Sequence, residues 1–165
     1  MSNATTRRDF LGSGAALAVA ASLGAFARPA HAAATIEAQS LAPRFTLLTG
    51  AGCNVLALAG PECALLVDGG YQRNSASLLA AAARATGSRR VNTHINTHWH
   101  PAQTGSNETL GRQGAQIIAH EITRLYLARA VASVDYSGLY GPLNEKGRPR
   151  VTTRTTGALQ FAGQR

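Results

Sequence analysis

The sequence predicts a layered α/β domain behind an N-terminal leader, and three observations carry that expectation. Short, nearly uncharged apolar runs recur through the middle of the chain. A single Ala-rich stretch with helical spacing separates two of them. The composition also changes sharply near residue 32, from a Gly/Ala-rich tract to mixed polar and apolar sequence. The chain has 165 residues, enough for one domain at most once the leader is set aside.

The leader reads as a twin-arginine export signal. Thr5-Thr6-Arg7-Arg8-Asp9-Phe10-Leu11 precedes an uncharged run from Leu11 to Ala27, and Ala30-His31-Ala32 offers small residues at a cleavage site. The run is short and rich in Gly and Ala, so it is read as a signal over 1–32 and not as a stable membrane span. The partner it implies is the Tat export machinery, and the location a periplasmic or otherwise exported one. Removing 1–32 takes Arg7, Arg8, Arg28 and Asp9, and the formal charge falls only from +8 to about +6. The remaining arginines are scattered, with few aromatics between them, which argues for a solvated basic surface and against a nucleic-acid platform.

Residues 33–44 read as a flexible lead-in. Phe45–Thr49 has strand composition. Asn54–Ala59 and Cys63–Val67 read as two strands about a turn at Gly60-Pro61-Glu62, apolar enough to be covered on both faces. That pairing does not set Cys53 opposite Cys63, so two separate packed thiols are expected, although an oxidising compartment would permit a disulfide. Val67-Asp68-Gly69-Gly70 closes the second strand in a glycine-rich bend. Asn74 or Ser75 caps a helix running to about Thr86 and ended by Gly87, with Leu78, Ala82 and Ala85 on its apolar face.

Val91–Asn96 reads as a third core strand. A short helix is expected within Gly105–Gly111, a strand at Gln116–Ala119, and a helix from Glu121 to about Ser133. Beyond that the pattern dissolves, and 134–165 reads as irregular except for the start of one more strand at Thr156–Ala162.

The third core strand delivers Thr97-His98-Trp99-His100-Pro101-Ala102-Gln103-Thr104-Gly105-Ser106-Asn107. Residues two apart on an extended segment share a face, so His98 and His100 can present two imidazoles to one point. Neutral imidazole is a preferred ligand of zinc and related metals.

Together these residues resemble the metallo-β-lactamase superfamily. The likeness is carried by the 54–70 hairpin ending in V-D-G-G, the Ala-rich helix, and I-N-T-H-W-H-P followed by T-G-S-N. It runs over about 45–133, the first half of that family's domain. The fold it implies is an αβ/βα sandwich, of which this chain carries the N-terminal half. The function it implies is metal-dependent hydrolysis of an ester, amide or thioester-type bond in an unidentified small molecule. The family motif is H-x-H-x-D-H. His98 and His100 match its first two ligand positions, whereas Ala102 and Gln103 stand where an aspartate and a histidine hold a second metal. The resemblance therefore implies one zinc ion at most, weakly bound. Asp68 matches the family's aspartate that supports the metal loop without binding metal.

The family's third histidine lies in a later run resembling H-T-x-G, and no histidine follows His120 here. His94 is about 13 Å along a strand from His98. His120 ends a different strand and reads as a locally bonded helix-entry residue. Trp99 is expected to pack, and Thr104 and Asn107 to cap. Two functional expectations stay open: a hydrolase whose site is completed from elsewhere, and an inactive pseudoenzyme fragment or binding module. Half a sandwich would leave a sheet face uncovered, so self-association is expected as well.

Overall fold

The computed structural model describes residues 34–133, 136–155 and 161. The export signal, and the strand expected at 156–162 apart from Phe161, lie outside the described residues.

The main sheet has seven strands: β1 (Glu37–Ala42), β2 (Phe45–Thr49), β3 (Val55–Ala59), β4 (Ala64–Val67), β5 (Val91–Asn96), β6 (Gln116–His120) and, after an intervening hairpin of β7 (Val131–Ser133) with β8 (Tyr136–Tyr140), β9 (Val151–Thr153). The spatial order is β1-β2-β3-β4-β5-β6-β9. The first four strands run antiparallel to their neighbours, and β4, β5, β6 and β9 run parallel. Parallel neighbours need crossovers, and the helices supply them. Helix α1 (Ser75–Thr86) joins β4 to β5, α2 (Pro101–Thr104) and α3 (Asn107–Arg112) join β5 to β6, and α4 (Glu121–Leu127) follows β6. The α/β layering expected from the sequence is the observed architecture.

The core lies between α1 and the sheet. Leu78, Ala81 and Ala82 of α1 meet Leu48, Val55, Ala57, Ala64 and Leu66, all buried. The 54–67 hairpin forms where its composition places it, Leu58 pairing with Leu65 and Ala59 with Ala64. Gly87 ends α1 in the left-handed conformation, at φ +70°. Asn74 stands at the start of α1 but caps nothing with its side chain; its Nδ2 instead donates to Ala51 O at 2.9 Å. Cys53 and Cys63 are separate free thiols.

Three expectations are corrected. Residues 37–42, placed in a flexible lead-in, form the edge strand β1. None of its side chains is buried, so main-chain pairing with β2 holds it and no apolar alternation announces it. The helix expected to reach Ser133 stops at Leu127, and the β-branched Val131 opens a strand paired with 136–140. The segment expected to be irregular beyond 134 holds β8, a 3-10 turn at Glu145–Gly147, and β9 along β6. Polar ties order it: Asn144 N–H donates to Glu108 Oε1 at 2.8 Å, Asn107 Nδ2 to Gly147 O at 3.0 Å, and Arg154 Nη2 to Glu121 Oε1 at 2.8 Å. Such ties have no sequence period. Among the described residues, no helix is long and apolar enough to cross a membrane.

Candidate functional site

The His-x-His loop leaves the C-terminal end of β5 beside the bend that follows β4, and close backbone approach holds the two together. A Cβ on Gly105 would collide with Gly70 O and Gln72 N, so only glycine admits this contact. Ser106 Oγ donates to Gly69 O and shares a hydrogen bond with Ser75 Oγ at 2.8 Å, tying the loop to the start of α1.

Asp68 takes φ +64°, a left-handed conformation that a non-glycine residue adopts at a cost. The bend turns its carboxylate toward Thr97. Thr97 N–H donates to Oδ1 at 2.9 Å, and Thr97 Oγ1 lies 3.0 Å from Oδ1 and 2.8 Å from Oδ2. The same hydroxyl is 3.0 Å from His98 Nδ1. A threonine hydroxyl has one proton to give. When it is given to ionised Asp68, the oxygen accepts from His98 Nδ1–H and the lone pair of His98 is left on Nε2. Burial pushes the Asp68 carboxyl above its usual range, against the opposing pull of the Thr97 hydrogen bonds.

His100 follows with its ring edge-on to His98, the centroids 4.7 Å apart at 75°. It precedes the first turn of α2, where Pro101 sets the helical φ. Its carbonyl accepts from Gln103 N–H, Thr104 N–H and Thr104 Oγ1, the last at 2.9 Å. Thr104 Oγ1 also pairs with Tyr140 Oη at 2.8 Å, which brings β8 to the loop. Trp99 turns away and stacks on Tyr126 of α4, centroids 4.7 Å apart and planes 11° from parallel, with its edge against His100. The Arg129 guanidinium covers the Tyr126 ring at 5.1 Å. Trp99 therefore packs, as its position in the sequence implies.

Beneath the loop lies a buried polar cluster. His94 Nε2 is 3.0 Å from both Asn107 Oδ1 and Asn96 Nδ2, and Asn107 Nδ2 donates to Asn96 Oδ1 at 2.8 Å. Asn96 Nδ2 also reaches Gln103 O at 3.2 Å. Burial pushes the His94 imidazole down to about 4. His94 is thus a neutral, fully buried residue whose Nε2 is engaged within this cluster. Asn107 belongs to this cluster, while Ser106 holds the capping position of α3, which corrects the expectation that Asn107 caps. His120 precedes α4, and its Nδ1 accepts from Ile122 N–H at 3.2 Å, the expected local bond.

Ala102 and Gln103 sit in α2 and bring no charged ligand. Ala102 is buried, and its carbonyl accepts from Cys53 Sγ at 2.9 Å. Burial pushes the Cys53 thiol up, which favours the protonated form that donates to this carbonyl. Two imidazoles in this arrangement fit half of a zinc site. Among the described residues, no cluster of three or more His, Cys, Asp or Glu side chains could hold an ion. The described residues therefore do not make a complete metal site.

The motif exposed His98, His100 and Asp68. Thr97, Tyr126 and Tyr140 went unseen, because each acts across 27 or more positions of sequence that carry no spacing rule.

Comparison with solved structures identifies the fold. A metallo-β-lactamase from Pontibacter korlensis superposes with a TM-score of 0.57 at 25% identity, over 78% of this chain and 57% of that one. One from Hirschia baltica gives 0.54 at 18% identity with the same coverages. A Cronobacter sakazakii metallo-β-lactamase described by its HARLDQ motif gives 0.51 at 22%, over 56% of this chain and 38% of that one. No family model and no curated relative matches the chain. The described residues have the metallo-β-lactamase superfamily fold, and the chain spans 57% or less of the length of these three structures.

Proposed function

We propose that this chain is the metal-loop half of an exported metallo-hydrolase-like protein, in which His98 and His100 contribute two ligands to a single zinc ion. The observation that supports it is the hydrogen-bonded chain from Asp68 through Thr97 to His98, which leaves Nε2 available to a metal. A third ligand has to come from outside the described residues, and until it does the ion is held weakly. Zinc in such a site supplies a polarised water. The chain's own residues contribute orientation: Asp68 and Thr97 fix one imidazole, while Thr104 and Trp99 fix the backbone and ring of the other. The substrate is an unidentified small molecule.

A second reading, an inactive remnant or binding module, is favoured by Ala102. It offers a buried methyl, with no lone pair, where the family motif has a second-metal aspartate. The HARLDQ run in the Cronobacter structure's description also ends in glutamine, as His98-Trp99-His100-Pro101-Ala102-Gln103 does, but it has Asp where this chain has Ala102.

Zinc titration of the purified chain separates the two. The first reading expects up to one equivalent bound at micromolar zinc and lost in His98→Ala. No binding at micromolar zinc supports the remnant. Self-association is part of the same proposal, since Ile122 and Leu125 of α4 and Leu139 of β8 are about half or more exposed. A chain that sediments as a monomer and unfolds in one sharp two-state transition would overturn that part.

A further inference from the structure

An open cleft of about 460 Å³ lies between α4 and the segment that leads into β9, lined by Arg124, Leu125, Ala128, Glu145, Arg148, Pro149 and Arg150. None of the histidine-loop residues lines it, and its charge is lopsided, with three guanidinium groups against one carboxylate. We propose that this cleft is an anion site for a small molecule carrying a dianionic head group, a phosphate monoester or a dicarboxylate, with an apolar portion resting on Leu125 and Ala128.

The arginines are held for the purpose by different means. Arg148 is half-buried, and its Nε donates to Leu143 O at 2.8 Å, which fixes the plane of the guanidinium and leaves the four terminal N–H donors to other acceptors. Arg150 is exposed, and its backbone N–H donates to Ile117 O at 3.0 Å, anchoring its Cα where the chain enters β9. Arg124 rises from α4 on the other wall. The acid nearest to it in sequence, Glu121, is held by Arg154, with Nε 2.5 Å from Oε2, and keeps only a lesser charge interaction with Arg124. Pro149 is buried between Arg148 and Arg150 and stiffens the connection.

This arrangement differs from that of four other arginines, and a second cleft, beside α1, gathers only two, Arg84 and Arg89. Arg112 pairs with Glu108 at 3.7 Å, Arg154 with Glu121, and Arg73 and Arg129 lie over tyrosine rings. Only in the cleft among these do three arginines share one concavity with a single acid, and Arg forks match the paired oxygens of phosphate and carboxylate. The volume falls within the usual range for small-molecule sites and is too small to seat a macromolecule. The inference does not rest on the metal reading.

Calorimetric titration of the full chain with inorganic phosphate, and separately with succinate, tests it. Ionic strength is held constant with sodium chloride, and the chain is stripped of metal with a chelator and dialysed free of it before titration. At least one of the two dianions is expected to bind above the chloride background. Arg124→Gln/Arg150→Gln, which leaves the Arg148 anchor intact, is expected to weaken it about tenfold or more, as loss of charged hydrogen bonds implies. Arg148→Gln should do the same, and Arg112→Gln on α3 should change nothing. No heat above chloride with either dianion overturns the proposal. So does unchanged affinity in the double variant, or an equal loss in Arg112→Gln, which would mark a general charge effect.

Discussion

Asp68 and Thr97 are 29 positions apart in sequence, yet the threonine meets the carboxylate with both its backbone N–H and its hydroxyl, at 2.9 and 2.8 Å. That double contact turns a strained bend after one strand into the support for a histidine at the end of another.

Thr97→Val keeps the shape and the backbone donor but removes the hydroxyl. His98 is then expected to lose its fixed tautomer, and nitrogen NMR of the imidazole should change from a single Nδ1–H form to a mixture. The chain should lose about 1.5–3 kcal/mol, the usual worth of a hydrogen bond to a charged group. An unchanged tautomer would show that something other than Thr97 orients the ring.

Stability should fall as pH drops from about 6.5 toward 4. The imidazole of His94 takes a proton in the unfolded chain near pH 6.5 but resists it in the folded chain until about pH 4. The unfolded state therefore binds more protons across that window, and acid favours it by on the order of 3 kcal/mol. The raised carboxyl of Asp68 acts in the opposite direction and trims this slope. Urea melts across the window check the sign, and His94→Gln should flatten the dependence even though it is less stable overall.

Gly105→Ala should be severely destabilising although it adds a single methyl. The added carbon would strike main-chain atoms of Gly70 and Gln72, which cannot move aside as a side-chain tip can. A loss of about 2 kcal/mol or more is expected in denaturant unfolding, as overpacking costs. Gly87→Ala and Gly114→Ala meet no atoms within 4 Å and should cost only the strain of their positive φ.

Tyr126→Ala should free the loop from α4. The chain has one tryptophan, so its fluorescence reports Trp99 alone. Emission should shift to the red and acrylamide quenching rise, with about 1 kcal/mol lost from the aromatic pair beyond the area it buries. Unaltered quenching would mean that Trp99 is held by His100 and its own backbone.

Local features were the ones legible in the sequence. The 54–67 hairpin, α1 with its glycine stop, and β5 each fold on contacts between near neighbours or on a clear apolar face. So does the identity of the histidine loop, because two ligands and their spacing are contiguous. β1 was not legible because strand pairing without burial leaves no mark on side chains. The end of α4 and the run of β8 and β9 depend on partners chosen from a distance: Tyr136–Tyr140 on 131–133, and Val151–Thr153 on β6. The same holds at the site. Asp68 could be named from its motif, but its route to His98 through Thr97, and the pairing of Thr104 with Tyr140 across 36 positions, exist only in three dimensions.

The buried cluster of His94, Asn96 and Asn107 gives the loop a shape that owes nothing to the ligands it displays. Its hydrogen bonds run to the carbonyls of Gln103 and Gly147 and to one another, and none runs to a side chain at a ligand position. Scaffold and chemistry are therefore separable here. The bonds that shape the turn use the main chain of residue 103 and no side chain at 102 or 103, so a preserved turn does not by itself report which ligands it carries.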